Sequence, residues 1–312
     1  MDIKCADEVL ELGLEYVGVS SEAQQVKTHK QLLDLFHDHY GCIPADLSAM
    51  WWDFQTTNIA EAKLKDDEKN EKSFKMFMAA NFFIWSHPKN AGLMSTRFQI
   101  CKRYIQSNKH LWKWIFKMSA LMEDKIVWDE VVLGSEDYAT FIASCDGVDF
   151  NIWEKPTKRY NVDKGLMSYK SKHAALRYLI AVSIWDSKCI YVHGPVKAGE
   201  VNDIAQWRLD LKAKMLALPG KLLVADGGFS TSETDELGII AIPSTNDRKC
   251  PELLTFKTRV RQRQESFNCR LKCYKILQDV FRFDTAKHKH VLQAVVTRVQ
   301  YAMESGSPLF DP

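Results

Sequence analysis

The chain has 312 residues, 46% hydrophobic and 26% charged, with a formal net charge of +2. These values exclude a disordered chain, and 14 Gly with 9 Pro exclude collagen-like and low-complexity classes. At roughly 150 residues per domain, the length predicts about two domains with room for a buried core. No apolar run approaches the roughly 18 residues of a membrane span, and the best one, Met76 to Trp85, is interrupted by Asn81. The start, MDIKCADEVLELG, is acidic and has no apolar stretch of the secretory-signal kind. Eight cysteines without a C-x-x-C predict reduced thiols in a cytosolic or nuclear protein.

In chain order, Gln31 to Tyr40 places Leu32, Leu33, Leu35, Phe36 and Tyr40 on one helical face, and Gly41 supplies the stop. Pro44 suits the first position of a second helix carrying Leu47, Met50, Trp51 and Phe54. Glu61 to Lys72 reads as an exposed helix or linker. Three further helices are predicted near 74–85, 95–103 and 108–121, with Ser95 and Asn108 as caps. The tryptophans Trp51, Trp52, Trp112 and Trp114 read as core. Beyond Val127 the pattern turns to strands. ATFIASCD (139–146) is a short apolar run ending in an acid, and Leu176 to Trp185 and Lys188 to His193 form a hairpin around Asp186-Ser187. Ile204 to Leu218 is helical by period and stops at Pro219-Gly220, where Asp203 reads as a cap. KLLVAD (221–226) and GIIAIP (238–243) are buried strands, and a long helix runs from about Leu254 to Val280.

The charge is unevenly placed. Glu123 to Asp149 holds eight acids and one base, whereas Asp247 to Gln300 holds thirteen Lys or Arg against five acids, a local excess of +8. Such asymmetry predicts a polyanion partner for the C-terminal third.

Three acids fall at strand or helix ends: Asp146 in Cys145-Asp146-Gly147, Asp226 in Ala225-Asp226-Gly227-Gly228, and Glu265 near the start of the long helix. Each alone reads as a turn residue or a surface ion pair, the latter with Arg261 four residues before Glu265. Together they form a set of carboxylates that repel one another unless a hard cation neutralises them, beside the Lys and Arg that hold a phosphate backbone. Asp149, three residues from Asp146, points to the opposite face of an extended strand.

On DGVDF (146–150), GLMSYKSKHAALRYLIAVSI (165–184), the GP…AGEVNDI segment (194–204), LLVADGGF (222–229) and QESFNCRLKCYKIL (264–277), the chain resembles DDE transposases of the PIF/Harbinger type over roughly residues 75 to 303. Spacings of 80 and 39 residues separate its three acids. Phe229, where a Tyr is common, and Ser266-Phe267-Asn268, in place of an aromatic-Gly step, depart from the family pattern. The resemblance implies an α/β fold: an RNase H-like mixed sheet flanked by helices over 128–306. It further implies a helix-turn-helix DNA-binding region over 74–127 and a helical region over 1–73. It makes Asp146, Asp226 and Glu265 the catalytic and metal-binding triad for Mg²⁺, with Mn²⁺ as a substitute and two ions expected. The implied activity is cleavage of phosphodiesters at transposon ends and joining of the freed 3′-OH to target DNA. Implied partners are DNA, a separate Myb-like helper and a second copy of the chain; the implied location is the nucleus, and no membrane is involved. Lys109, Lys113 and Lys117 recur every fourth residue on the last helix of the DNA-binding region, preceded by Lys102 and Arg103. With Arg259, Arg261, Arg263 and Lys272 these are the expected DNA contacts.

Two other readings stand beside this one. A catalytically silent DNA-binding protein keeps the fold as a scaffold, and a carboxylate-pair hydrolase such as a glycosidase needs no Mg²⁺. Zinc at His288, His290, Cys269 and Cys273 is disfavoured, because His-x-His on a helix does not present both rings to one ion.

Overall fold

The computed structural model describes residues 5–88, 91–101, 109–154, 163–230, 232, 239–242 and 249–310. The helices described are α1 (Ala6–Tyr16), α2 (Ser21–Gln25), α3 (His29–Tyr40), α4 (Pro44–Thr56), α5 (Glu71–Ser86), α6 (Ala91–Phe98), α7 (Lys109–Ala120), α8 (Met122–Lys125), α9 (Glu130–Gly134), α10 (Asp203–Leu209), α11 (Leu211–Leu216), α12 (Pro251–Cys273), α13 (Lys275–Gln278) and α14 (His288–Glu304). The strands are β1 (Phe141–Asn151), β2 (Ala175–Ser183), β3 (Cys189–Lys197), β4 (Leu222–Val224) and β5 (Ile240–Ala241). No described helix is long and apolar enough to cross a membrane. The chain divides into two compact units. The first takes Met1–Lys125 with Leu271–Asp279 and His290–Ser307, and the second takes Ile126–Arg270 with Val280–Lys289 and Pro308–Pro312.

The first unit is helical. A reciprocal cap opens α3: Thr28 Oγ1 accepts from the Gln31 N–H at 3.3 Å, and Gln31 Oε1 accepts from the Thr28 N–H at 2.9 Å. Gly41, at φ 68°, takes the left-handed conformation that closes it. Trp51 on α4 packs against Phe74 and Phe77 of α5 and Trp114 of α7, with centroids 5.0–5.6 Å apart. Trp112 is buried as well, but Trp52 is 53% exposed. The helix expected at 95–103 lies at Ala91–Phe98, so Ser95 is interior to it rather than its cap, and Lys102 and Arg103 lie outside the described residues.

Two C-terminal segments complete this unit, although the sequence reading assigned everything from 128 to 306 to the second domain. The cause is a buried stripe on α14, formed by Val291, Leu292, Val295, Val296 and Val299, with Arg298 among them at 1% exposure. Arg298 Nη2 donates to the Tyr40 carbonyl at 2.6 Å and to Cys42 Sγ at 2.8 Å, and Nη1 donates to the Asn81 carbonyl at 3.3 Å. A basic residue that raises the local charge count is here an internal tie.

The second unit is a five-stranded mixed sheet in the order β3-β2-β1-β4-β5. β1, β2 and β3 are antiparallel neighbours, while β4 runs parallel to β1, and β5 parallel to β4. Trp207, Leu211 and Met215, from α10 and α11, pack on Ala143, Cys145, Leu179, Ala181 and Leu223. On α12, Val260, with Phe256 beside it, joins Val224 and Ile184 in a second cluster. The single helix predicted over 204–218 breaks at Asp210 (φ −148°, ψ −53°), whose carboxylate accepts from the Tyr191 hydroxyl at 2.8 Å. The long helix stops at Cys273 because Tyr274 is extended and buried.

His288 is fully buried in this unit. Its ring stacks on Tyr178, meets Phe281 edge-on, and places Nδ1 2.8 Å from the Tyr178 hydroxyl. Burial lowers its pKa from 6.5 to about 3. A base depressed in the folded state contributes stability that is full above pH 6.5 and is lost as pH falls from there toward 3. Acid unfolding monitored by circular dichroism is therefore expected to be shallower over this window in His288→Gln than in the wild type. An unchanged slope would remove His288 as the acid trigger.

Candidate functional site

The register of β1 against β4 places two of the three acids. Ser144 pairs with Val224, and Asp146 and Asp226 each lie two residues beyond that pair. Asp146 is not at the end of its strand, as the sequence reading had it. Pairing with β2 continues through Gly147 to Asn151, and only the β4 partner stops earlier. Asp226 caps the short turn Gly227–Phe229, its Oδ1 accepting from the Gly228 N–H at 2.8 Å. Glu265 comes from α12, which is fixed over β1 by Gln264: its Oε1 accepts from Ser144 Oγ at 2.8 Å.

Asp146, Asp226 and Glu265, with Ser144, Gln264 and Arg261, thus line one small cavity of about 40 Å³. That volume suits a few water-sized groups. The acids differ in setting. Asp146 accepts from Asn268 Nδ2 at 2.8 Å, Asp226 is half-buried, and Glu265 is exposed with Oε1 4.0 Å from Arg261 Nη2. Among the described residues, no three His, Cys, Asp or Glu side chains close into a ready-made metal cage. The donor set nevertheless fits a hard divalent ion by its chemistry, because it is all-carboxylate and its members repel. Burial raises the Asp146 pKa to about 6, with the charges of Asp226 and Asp203 pushing the same way and Lys170 opposing them.

Asp203 and Lys170 belong to this neighbourhood and were missed by the sequence reading. Asn202, not Asp203, caps α10, accepting from the Ala205 N–H at 2.9 Å. Asp203 is left free to turn its carboxylate inward, where it meets Arg177 at 3.2 Å and Lys170 at 3.5 Å. Lys170 also donates to the Gly147 carbonyl at 3.2 Å. Asp149 binds Arg177 at 2.6 Å and 3.0 Å rather than facing the cavity. The one available signal was the spacing of Gly147 and Gly228 beside the two acids.

The expected DNA contacts are unequal. Lys117 is 7% exposed and donates to the carbonyls of Lys63 at 2.7 Å and Ala62 at 3.3 Å, with Glu68 3.3 Å away. Lys113 is also paired to Glu68. Burial alone raises the Glu68 pKa, but these lysines outweigh it and hold the group at about 2. The Lys109–Lys113–Lys117 row is therefore partly an internal ion-pair network, with Lys109 exposed. In the second unit Arg259 is exposed, Arg261 leans toward Glu265, and Arg263 donates to the Ile184 carbonyl at 2.9 Å and stacks 3.6 Å above the Phe310 ring. Lys272 is exposed near the end of α12. His288 is buried away from His290, which lies 3.1 Å from Ser119 Oγ, and Cys269 and Cys273 are exposed free thiols.

No protein-family model, no curated protein and no solved structure matches the chain.

The raised Asp146 pKa carries a sign. The ionised form is disfavoured in the fold, so its penalty is complete above about pH 6 and is relieved as pH falls from there toward 3.8. Thermal melts of the full chain in EDTA are expected to show Asp146→Asn more stable than the wild type at pH 7.5, by about 1–3 kcal/mol, with the gain vanishing near pH 4. A destabilised variant at pH 7.5 would show that the carboxylate is needed for the fold itself.

Proposed function

We propose that the chain is a metal-dependent DNA endonuclease of the DDE transposase type, its second unit an RNase H-like catalytic domain. The observation that carries this reading is the shared cavity: acids separated by 80 and 39 residues, from β1, the turn after β4 and α12, face one small space. The mixed sheet with helices on it, and the placement of Asp146 on β1 and Asp226 just past the end of the neighbouring β4, support the same reading.

In this reading Asp146, Asp226 and Glu265 hold Mg²⁺, or Mn²⁺ in its place. A divalent ion bound there supplies Lewis-acid charge at the attacking and leaving oxygens of a phosphodiester. The chain's own contributions are orientation and backbone binding. Asn268 fixes the Asp146 carboxylate, the Gly228 N–H fixes that of Asp226, and Gln264 anchors α12 on β1. Arg261, on the cavity lining, and Arg259, two residues away on the same helix, offer charge to the DNA backbone. The nuclear location, the helper protein and a second copy of the chain belong to this proposal.

The silent DNA-binding reading is favoured by one observation, the pairing of Glu265 with Arg261, which satisfies the third acid without an ion. Chemistry separates the two. Asp226→Asn keeps shape and removes one ligand charge, so cleavage in Mg²⁺ of supercoiled plasmid and of duplexes carrying repeats that flank the gene is expected to slow by roughly 10³-fold or more. Binding in a gel shift and the melting temperature are expected to hold. A variant that cuts at the wild-type rate would end the DDE reading, and a folded wild type that binds but never cuts with any divalent ion would leave the silent scaffold. Separately, the logarithm of DNA affinity is expected to fall linearly with log salt. Arg259→Ala with Arg261→Ala is expected to flatten that slope by about two. A slope unchanged in the double variant would move the DNA path away from α12.

A further inference from the structure

Asp203 stands at the first position of α10 and is 6% exposed. Its carboxylate occupies space that two glycines leave open. A methyl group at Gly147 would overlap Asp203 Oδ1, and one at Gly228 would come within 2.8 Å of Asp203 Oδ2 and 3.0 Å of Asp226 Oδ1. Gly147 directly follows Asp146, and Gly228 is the residue whose N–H holds the Asp226 carboxylate. One buried carboxylate therefore touches the backbone next to two acids, one on β1 and one in the turn after the neighbouring β4, that are 80 residues apart in sequence.

The carboxylate is itself clamped. Arg177 Nη1 lies 3.2 Å from Oδ1, and Lys170 Nζ lies 3.5 Å from Oδ2 and 3.2 Å from the Gly147 carbonyl. Arg177 is fixed in turn by the bidentate pair to Asp149 and by the Val201 carbonyl at 3.0 Å. Each oxygen of Asp203 thus faces a cation, Oδ1 through an ion pair without a hydrogen bond and Oδ2 through Lys170. A neutral side chain would fill the same space without repelling Asp146 and Asp226. The carboxylate provides what such a group lacks, an orientation enforced by two cations.

We propose that Asp203 is a positioning residue of the acidic cavity: its carboxylate is the spacer that sets the separation of Asp146 and Asp226. The inference rests on the metal-dependent reading of that cavity and adds a fourth acid that acts through the other two rather than as a ligand. Groups that orient a metal's ligands typically change its affinity by 10–100-fold when removed.

The test is calorimetric titration of the full chain with Mn²⁺ alone, beside plasmid cleavage kinetics. Asp203→Asn is expected to fold, because Arg177 keeps Asp149, and to bind Mn²⁺ about 10–100-fold more weakly. Its kcat is expected to fall with KM for DNA unchanged. Asp203→Glu is expected not to rescue, since one more methylene does not fit between the two glycines. Gly228→Ala, whose methyl meets Asp203 Oδ2 at 2.8 Å and Asp226 Oδ1 at 3.0 Å, forces the two carboxylates apart and is expected to weaken Mn²⁺ binding, and it serves where Asp203→Asn fails to fold. Wild-type Mn²⁺ affinity in folded Asp203→Asn or Gly228→Ala overturns the proposal while leaving the cavity reading intact. Full rescue by Glu overturns it too, because charge alone would then suffice. Loss of all measurable binding in Asp203→Asn, matching Asp226→Asn, overturns it in favour of direct ligation. A wild type that binds no Mn²⁺ overturns the cavity reading, and the proposal with it.

Discussion

The second unit depends on one desolvated cation. Arg177, on the interior strand β2, is 4% exposed, and a guanidinium cannot shed its proton to escape burial. It must be matched where it stands, and Asp149 lies directly opposite it in the β1–β2 register. A one-residue slip of that pairing would turn one charge away from the other and leave both in the interior. The fork therefore fixes the register of β1 against β2, the pair on which Asp146 sits. The third nitrogen of the same group reaches the start of α10, so strand register and helix placement share one origin.

The cavity inherits its electrostatics from this arrangement. Its acids are not neutralised by the nearest fixed cations, since Arg177 is committed to Asp149 and Asp203, and Lys170 is divided between Asp203 and a backbone carbonyl. Burial raises the Asp146 pKa, the charges of Asp226 and Asp203 add to it, and the opposing charge of Lys170 does not offset the rise. Glu265 meets the same need differently, by remaining in water beside Arg261. Asp146 on β1 and Asp226 in the turn after β4 are preset by the sheet, whereas the helix-borne acid is held only by an exposed pair of the kind that contributes little.

Much of this could be read from the chain because local and tertiary preferences agree. The strand runs that carry Asp146 and lead to Asp226, the turn at Asp226-Gly227 and the Gly41 stop follow from short-range rules, and the fold respects them. What was illegible was set by distant partners. Gly147 looks like a strand terminator, yet β2 carries the pairing past it. The break at Asp210 depends on the Tyr191 hydroxyl, and the end of α12 on the burial of Tyr274. Lys117 looks like one of a solvent-facing row until Glu68 and two carbonyls from nearly 50 or more residues upstream claim its ammonium. Asp203 carries a plain cap signature, and only the cap taken by Asn202 frees it to face inward.

The helical first unit is discontinuous in sequence, and this ties its fate to the order of synthesis. Its last tie, Arg298, closes on the carbonyls of Tyr40 and Asn81 only after the entire sheet has been translated. Until then the nascent helices from Ala6 to Lys125 lack the apolar stripe of α14 and keep those two carbonyls without that partner. A chain truncated before α14 therefore does not retain the whole N-terminal helical unit. Such a truncation takes buried residues from both units, Val291, Leu292 and Val295 from the first and His288 from the second.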